Sequence, residues 1–231
     1  MCAIPVVRVP LHLIAAIGLL VAVCLMIAAI VTPAWQVGDY KELKEVHYHG
    51  LWETCVKSGP RKNQPYQEDS WVCTFRETDS HQDENTPGSL KGEHDMHHWH
   101  EATLWLLSAS AFVGLLGMIL AFVSAPIDFC HYNKCLKACL GLWLSLHCLA
   151  AVLSAAGMIV FVRYSYDVEN RFIRPVTERY EQRWGYSFFR GVASCITYAV
   201  SLVLAVLVGF LTYASQFVNR NRHLQTKSST V

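Results

Sequence analysis

Four long stretches of this 231-residue chain contain no Lys, Arg, Asp or Glu, although these residues make up 16% of the sequence. A helix needs about 20 apolar residues to cross the roughly 30 Å hydrocarbon core of a bilayer, and each stretch is long enough. The predicted transmembrane helices are Leu11–Thr32, Ala102–Ala125, Ala138–Val162 and Gly191–Ala214. The pattern predicts a multi-pass membrane protein and excludes a soluble domain, a secreted disulfide scaffold and a disordered chain.

The remaining polar residues exclude further classes of function. A net charge of +1 provides no basic field for nucleic acid. No carboxylate lies within any predicted helix, which argues against intramembrane catalysis and coupled transport, so we expect neither enzyme activity nor a cofactor. The first stretch is long for a signal peptide and precedes a poor cleavage site, Thr32-Pro33-Ala34-Trp35, so we expect it to be retained.

The cysteines orient the predicted helices better than the basic residues, whose densities on the two sides are nearly equal. The long loop between the first and second predicted helices, residues 33–101, contains two of the nine cysteines, Cys55 and Cys73. Such an even pair is typical of a disulfide in an oxidising exterior, the alternative being two free thiols. A bridge would close a 19-residue loop, worth about 3 kcal/mol. The predicted cytoplasmic segments are 1–10, 126–137 and 215–231, and the outer loops are 33–101 and 163–190.

Two segments of the long loop favour β-structure. Glu45–Lys57 and Ser70–Arg76 are rich in β-branched and aromatic residues and predict two strands, joined by a hairpin loop over Ser58–Asp69. We expect Trp35 and Trp52 to meet the lipid headgroups, which amphipathic rings favour. The predicted fold class is therefore an all-α transmembrane four-helix bundle with a small extracellular antiparallel β-sheet.

These loops carry a resemblance to a known family. Trp35, Gly50-Leu51-Trp52, Cys55 and Cys73 resemble the W…GLW…C…C signature of the claudin superfamily, which includes claudins, peripheral-myelin and epithelial-membrane proteins, and the gamma subunits of calcium channels. Phe172, Pro175, Arg179-Tyr180-Glu181, Gly185-Tyr186-Ser187-Phe188-Phe189 and Gly191 resemble the family's run into the fourth helix. The resemblance covers nearly the whole chain.

The resemblance implies roles for individual residues. Trp35, Gly50, Leu51 and Trp52, with the Cys55–Cys73 disulfide, would hold the outer fold. Phe172, Pro175 and Tyr180 would contact neighbouring cells. Two departures are typical of a divergent, for example an invertebrate, member. The gap between the cysteines is longer than in vertebrate claudins, and Trp99-His100-Glu101 replaces the arginine that claudins commonly carry at the outer end of the second helix.

The resemblance also implies a function. A junction protein of the plasma membrane would bind copies of itself and other claudin-like proteins on the same and opposing cells, and would form or regulate the paracellular barrier. The alternative is an auxiliary subunit of an ion channel, because Gly185–Phe189 is equally close to the gamma-subunit pattern. Thirteen acidic against seven basic residues in the long loop would favour cations in a pore, or simply form a solvated surface.

Several polar residues suggest further sites. His94, His97, His98 and His100 precede the second helix, where they could bind a metal or sense pH, although we expect ordinary interfacial residues and no metal. His147 lies within the third helix, and we expect its neutral ring to make a hydrogen bond across the bundle.

Two short segments suggest cytoplasmic modification and binding. Cys130 and Cys135 are candidate palmitoylation sites, the alternative being free thiols. Ser229, Thr230 and Val231 match the tails that PDZ scaffold proteins bind by strand addition and carboxylate capture.

The predicted orientation is testable on intact cells. An antibody against an epitope within 33–101 should label cells without permeabilisation, because the disulfide expected in this loop requires an oxidising exterior. A tag following Val231 should require permeabilisation. Labelling of the loop epitope only after permeabilisation would contradict this topology.

Overall fold

Four helices and five strands make up the described part of the chain. The computed structural model describes residues 3–40, 45–58, 70–75, 95–127, 133–168 and 180–228. The elements are α1 (Ala3–Val31), β1 (Gln36–Tyr40), β2 (Glu45–His49), β3 (Glu53–Ser58), β4 (Ser70–Phe75), α2 (Asp95–Ile127), α3 (Asn133–Val168), β5 (Tyr180–Trp184) and α4 (Tyr186–Ser228). Long apolar helices with a small antiparallel sheet confirm the predicted fold class.

All four helices are long and apolar enough to cross a membrane. The candidate spans are Val9–Val31, Trp99–Val123, Ala138–Ser165 and Tyr186–Ser215. The helices extend past the uncharged stretches, since α4 begins at Tyr186 rather than at Gly191. The Arg190 guanidinium lies 4.8 Å from the centre of the Tyr186 ring, an arrangement that places a cation at a helix end beside an aromatic face.

The sheet has the strand order β4-β3-β2-β1-β5, with antiparallel pairing throughout. The prediction of one strand over Glu45–Lys57 is wrong, because β2 and β3 are separate strands joined by Gly50-Leu51-Trp52. The Gly50 amide donates to the Glu53 carbonyl over 2.8 Å. A Cβ on Gly50 would lie 2.8 Å from the Pro33 Cα, so the turn requires glycine.

Two strands of the sheet are absent from the sequence prediction. β1 follows α1 closely and pairs with β2 on one side and β5 on the other. β5 comes from the second loop, so both loops contribute to one sheet. The segments missing from the described residues include the predicted hairpin loop apart from Ser58.

The chain divides into two compact units. Unit 1 comprises Met1–Cys24, Ser110–Val152 and Ser194–Val231, and unit 2 comprises Leu25–Ala109 and Leu153–Ala193. Unit 1 therefore contains segments of all four helices, and unit 2 contains the sheet together with the remaining helical segments.

Serine hydroxyls join the helices of unit 1. Ser110 donates to the Ala150 carbonyl over 2.8 Å, Ser194 to Ala22 over 2.7 Å and Ser201 to Ala15 over 2.6 Å. Small residues at such positions let helix backbones approach closely, and interhelical hydrogen bonds of this kind stabilise helix pairs in lipid.

Among the described side chains of unit 1, two histidines are buried. His12 Nε2 lies 3.3 Å from the Ala121 carbonyl oxygen, and its ring centre lies 4.7 Å from that of Trp143. His147 meets Trp143 edge-on at 5.9 Å. His147 also approaches the backbone of Tyr198 on α4, although neither ring nitrogen makes a hydrogen bond of regular geometry among the described residues. The expected hydrogen bond across the bundle therefore stays a prediction.

Gly114→Ala tests the packing of unit 1. The added Cβ would lie 2.7 Å from both the Tyr198 Oη and the Val23 Cγ2, and both side chains are buried. We expect a loss of about 1 to 3 kcal/mol in the free energy of unfolding, measured as a lower midpoint of thermal unfolding in detergent.

Gly141→Ala provides the matched control for this substitution. A Cβ there meets nothing within 4 Å, and alanine favours the helix by up to about 1 kcal/mol. Equal midpoints for the two variants would contradict the packing described for Gly114.

Candidate interaction site on the five-stranded sheet

The last turn of α1 is where the sheet joins the helices of unit 2. The last four carbonyls of a helix lack partners within it, and here side chains donate to three of them. Thr32 Oγ1 donates to the Ala28 oxygen over 2.7 Å, and Trp35 Nε1 donates to Ala29 over 2.8 Å. The Trp52 indole completes the series by donating to the Ile30 oxygen over 2.9 Å.

Trp35 also connects β1 to its neighbours through its backbone. Its amide donates to the His49 carbonyl over 3.1 Å, and its own carbonyl accepts from Gly185 over 3.0 Å. The side chain is fully buried, and its ring centre lies 4.7 Å from that of Phe161. The expectation that Trp35 meets lipid headgroups is therefore wrong, because its indole is used inside unit 2.

Ser187 fastens the start of α4 to the end of α1. Its hydroxyl lies 2.6 Å from Thr32 Oγ1 and accepts from the Ala34 amide over 3.2 Å. Its own amide donates to the Ala34 carbonyl over 3.0 Å. A Cβ on Gly185 would overlap the Ala34 carbonyl oxygen, so glycine is needed for this close approach.

An aromatic cluster packs beneath this attachment in unit 2. Phe161 of α3 is fully buried at its centre. The ring centres around it lie 4.7 Å away for Trp35, 5.6 Å for Trp99, 5.9 Å for Phe188 and 6.0 Å for Trp184. Such offset and edge contacts add to the stabilisation from apolar burial.

The histidine cluster predicted before the second helix is only partly described. His100 is buried, with its ring 3.6 Å from Trp99 and 6.4 Å from Phe161. His97 and His98 lie on α2, but their side chains and His94 fall outside the described residues. Among the residues that are described, no group of three His, Cys, Asp or Glu residues could hold a metal.

A disulfide links the two outermost strands at the β4 edge. Cys55 and Cys73 are register partners and are bonded to each other, which confirms the predicted bridge. Cys55 is buried, whereas residues 71–75 of β4 are all exposed. The β4 edge thus has one covalent attachment and an open surface.

Aromatic side chains lie along one face of the sheet near this edge. Trp71 stacks on Tyr48 with ring centres 5.1 Å apart, and the Lys57 ammonium lies 5.9 Å from the Trp71 ring. Trp71 is nonetheless 54% exposed, Val72 59% and Phe75 69%. Large apolar side chains on an exposed edge strand are typical of a binding surface, so the β4 edge is a candidate interaction site.

The other predicted site residues are distributed as follows. Leu51 is buried in the β2–β3 turn, and Tyr180 begins β5. Cys135 lies in the first turn of α3. The residues outside the described ranges are Cys130, Phe172, Pro175, Ser229, Thr230 and Val231.

Three attachment residues are missed by the sequence reasoning. Thr32, Phe161 and Ser187 form contacts between distant parts of the chain. Ser187 lies inside the quoted Gly185–Phe189 motif, which provides a signal for its position but none for its partner. Phe161 lies within an apolar helix and Thr32 directly follows one, and no local pattern marks either residue.

Four apolar helices, a disulfide-linked antiparallel sheet and a helix end capped by the two signature tryptophans define a claudin-like, multi-pass membrane protein. The family model described as Clc-like matches residues 10–217. The chain is 30% identical over 193 residues to Clc-like protein 2 of Caenorhabditis elegans, covering 81% of this chain and 70% of that protein. The chain belongs to the Clc-like family, as a divergent claudin-like member.

Ser187→Ala tests the attachment between α1 and α4. The change leaves the buried Ala34 amide without its hydroxyl partner, at an expected cost of about 1 to 3 kcal/mol. The measurement is the midpoint of thermal unfolding of the full chain.

Ser145→Ala is the control for the removal of a serine hydroxyl. Ser145 is exposed and bonds only to the Gly141 carbonyl of its own helix among the contacts described. The free energy of unfolding of this variant should therefore stay within about 0.5 kcal/mol of wild type. A Ser187→Ala midpoint equal to that of Ser145→Ala would show that the attachment contributes little.

Proposed function

We propose that this protein mediates contact between cells at junctions and forms or regulates the paracellular barrier. The observation that carries the proposal is the β4 edge. Its sequence Ser-Trp-Val-Cys-Thr-Phe contains no charge, and residues 71–75 are exposed. An uncharged strand at the edge of a sheet offers backbone groups and apolar side chains to a neighbouring protein.

The rigid attachment of the sheet supports a role in contact. Trp35, Trp52 and Ser187 bond the sheet region to the ends of α1 and α4 within unit 2. The Cys55–Cys73 bond holds β4 on β3. A surface that is already ordered loses less conformational entropy when it binds, so more of its contact energy appears as affinity.

The proposed partners are other copies of this chain and other claudin-like proteins, on the same and on opposing cells. The proposed site is the plasma membrane at cell–cell contacts, with both ends of the chain in the cytoplasm and PDZ scaffolds on the tail. Phe172, Pro175 and Tyr180 belong to the proposed contact region. Support comes from β5, which begins at Tyr180 and pairs with β1 of the same sheet.

Mixed cell cultures test this function. Tagged protein should concentrate where two expressing cells meet, relative to membrane facing a non-expressing cell, because both partners must present the sheet. In an epithelial layer its removal should change transepithelial resistance. Uniform membrane staining with unchanged resistance would contradict the junction function. A single channel protein co-purifying in stoichiometric amounts would favour the auxiliary-subunit alternative.

The double variant Trp71→Ser, Val72→Ser tests the β4 edge itself. It removes two exposed apolar side chains without adding charge, and we expect enrichment at contacts to fall to that of a uniformly distributed membrane marker. Surface biotinylation checks that the variant still reaches the plasma membrane.

Phe112→Ala is the control for this double variant. Phe112 is a 63% exposed side chain on α2, within the span Trp99–Val123, and its removal should leave enrichment unchanged. An equal loss of enrichment in both variants would count against a specific role for β4.

A further inference from the structure

The strand register identifies which end of the sheet lies beside the helices. Gln36 begins β1 and pairs with His49 at the end of β2 and with Trp184 at the end of β5. Glu53 begins β3 and pairs with Phe75 at the end of β4. We call this row of strand ends the foot of the sheet.

The foot lies at the level where the first membrane span ends. The candidate span of α1 ends at Val31, and Trp52 donates its indole N–H to the carbonyl of the preceding residue, Ile30, over 2.9 Å. Ile27 and Val31 on this last stretch of α1 are 41% and 55% exposed. In a membrane protein, such apolar side chains on a spanning helix face lipid.

Phe75 places an exposed apolar ring beside Trp52 at the foot. Its ring centre lies 5.4 Å from that of Trp52, and at 69% it is more exposed than any other large apolar side chain described on the sheet. Glu53, its register partner, carries a carboxylate at the same level, which suits the polar headgroup layer rather than the hydrocarbon core. The amphipathic Trp52 indole favours that boundary, and the Phe75 ring lies beside it.

We propose that Trp52 and Phe75 bind lipid at the foot, so that the Phe75 end of β4 rests in the headgroup layer of the bilayer. The attachments through Trp35 and Ser187 hold the β1–β5 side of the sheet, and the Trp52 indole bonds the β2–β3 turn to α1. The foot holds the β4 side through lipid, and the Cys55–Cys73 bond joins that side to β3. The sheet is thus held by protein contacts from β5 to the β2–β3 turn, and by lipid at the Phe75 end of β4.

The position of Trp71 indicates how far along β4 the proposed lipid contact extends. It shares a face with Phe75 but lies four residues away along β4, a distance of about 13 Å. The headgroup layer on one side of a bilayer is roughly 5 to 8 Å thick. Lipid contact should therefore fall from Phe75 to Trp71, which leaves Trp71 for protein partners.

Photo-crosslinking in nanodiscs tests the proposal on the full chain. The photoreactive residue benzoylphenylalanine replaces Phe75, Trp71 or Val72 in separate variants, each with one copy per phosphatidylcholine nanodisc. After illumination, intact-mass analysis measures the fraction of protein carrying one added lipid. We expect a several-fold higher lipid yield at position 75 than at position 71 or at position 72, which lies on the opposite face of β4.

The outcomes separate lipid from other occupants of this surface. Equal lipid yields at positions 75 and 72 would overturn the proposal, as would crosslinks from position 75 to a second copy in cell membranes in place of lipid. A second measurement leaves Phe75 intact. Brominated lipid should quench the part of the tryptophan emission that Trp52→Phe removes, and failure to quench that part would also overturn the proposal.

Discussion

The rest of the structure depends on how the last carbonyls of α1 find partners. A buried or lipid-facing carbonyl without a hydrogen bond costs several kcal/mol, since no bulk water replaces the missing donor. Trp35 and Trp52 donate to two successive carbonyls of this turn. Each indole therefore holds its own strand region against the helix end. The same two hydrogen bonds satisfy the helix carbonyls and position the sheet.

That constraint explains the residues on either side of it. Gly50 and Gly185 occupy places where a Cβ would meet the backbone of Pro33 or Ala34, so the two loops approach the helix end as bare backbone. Ser187 then adds a bond from α4 to the same short segment. Gly50, Gly185 and Ser187 therefore position the backbone of the two loops at the helix end. The side chains of the exposed β4 edge can differ without disturbing these contacts.

Much of the helical part could be predicted, because an apolar stretch of about 20 residues without a charged side chain is typical of a membrane-spanning helix. The disulfide followed from the parity of two cysteines in one loop. The strand count could not be obtained in this way. The Gly50-Leu51-Trp52 turn reads locally as a continuing apolar strand, and β1, Gln-Val-Gly-Asp-Tyr, has too little alternation to be recognised alone. The roles of Thr32 and Ser187 are contacts across more than 150 positions of sequence, which no local pattern reveals.

A sheet held in this way should behave as one rigid body, and hydrogen–deuterium exchange of the full chain in nanodiscs measures that most directly. The backbone amides of β1, β2, β3 and β5 should exchange as slowly as those in the middle of the helices, with β4 joining them while the Cys55–Cys73 bond is intact. Complete exchange of β1 and β5 within seconds, with the helices still protected, would show that the sheet is not fixed to the helix ends and would contradict the account.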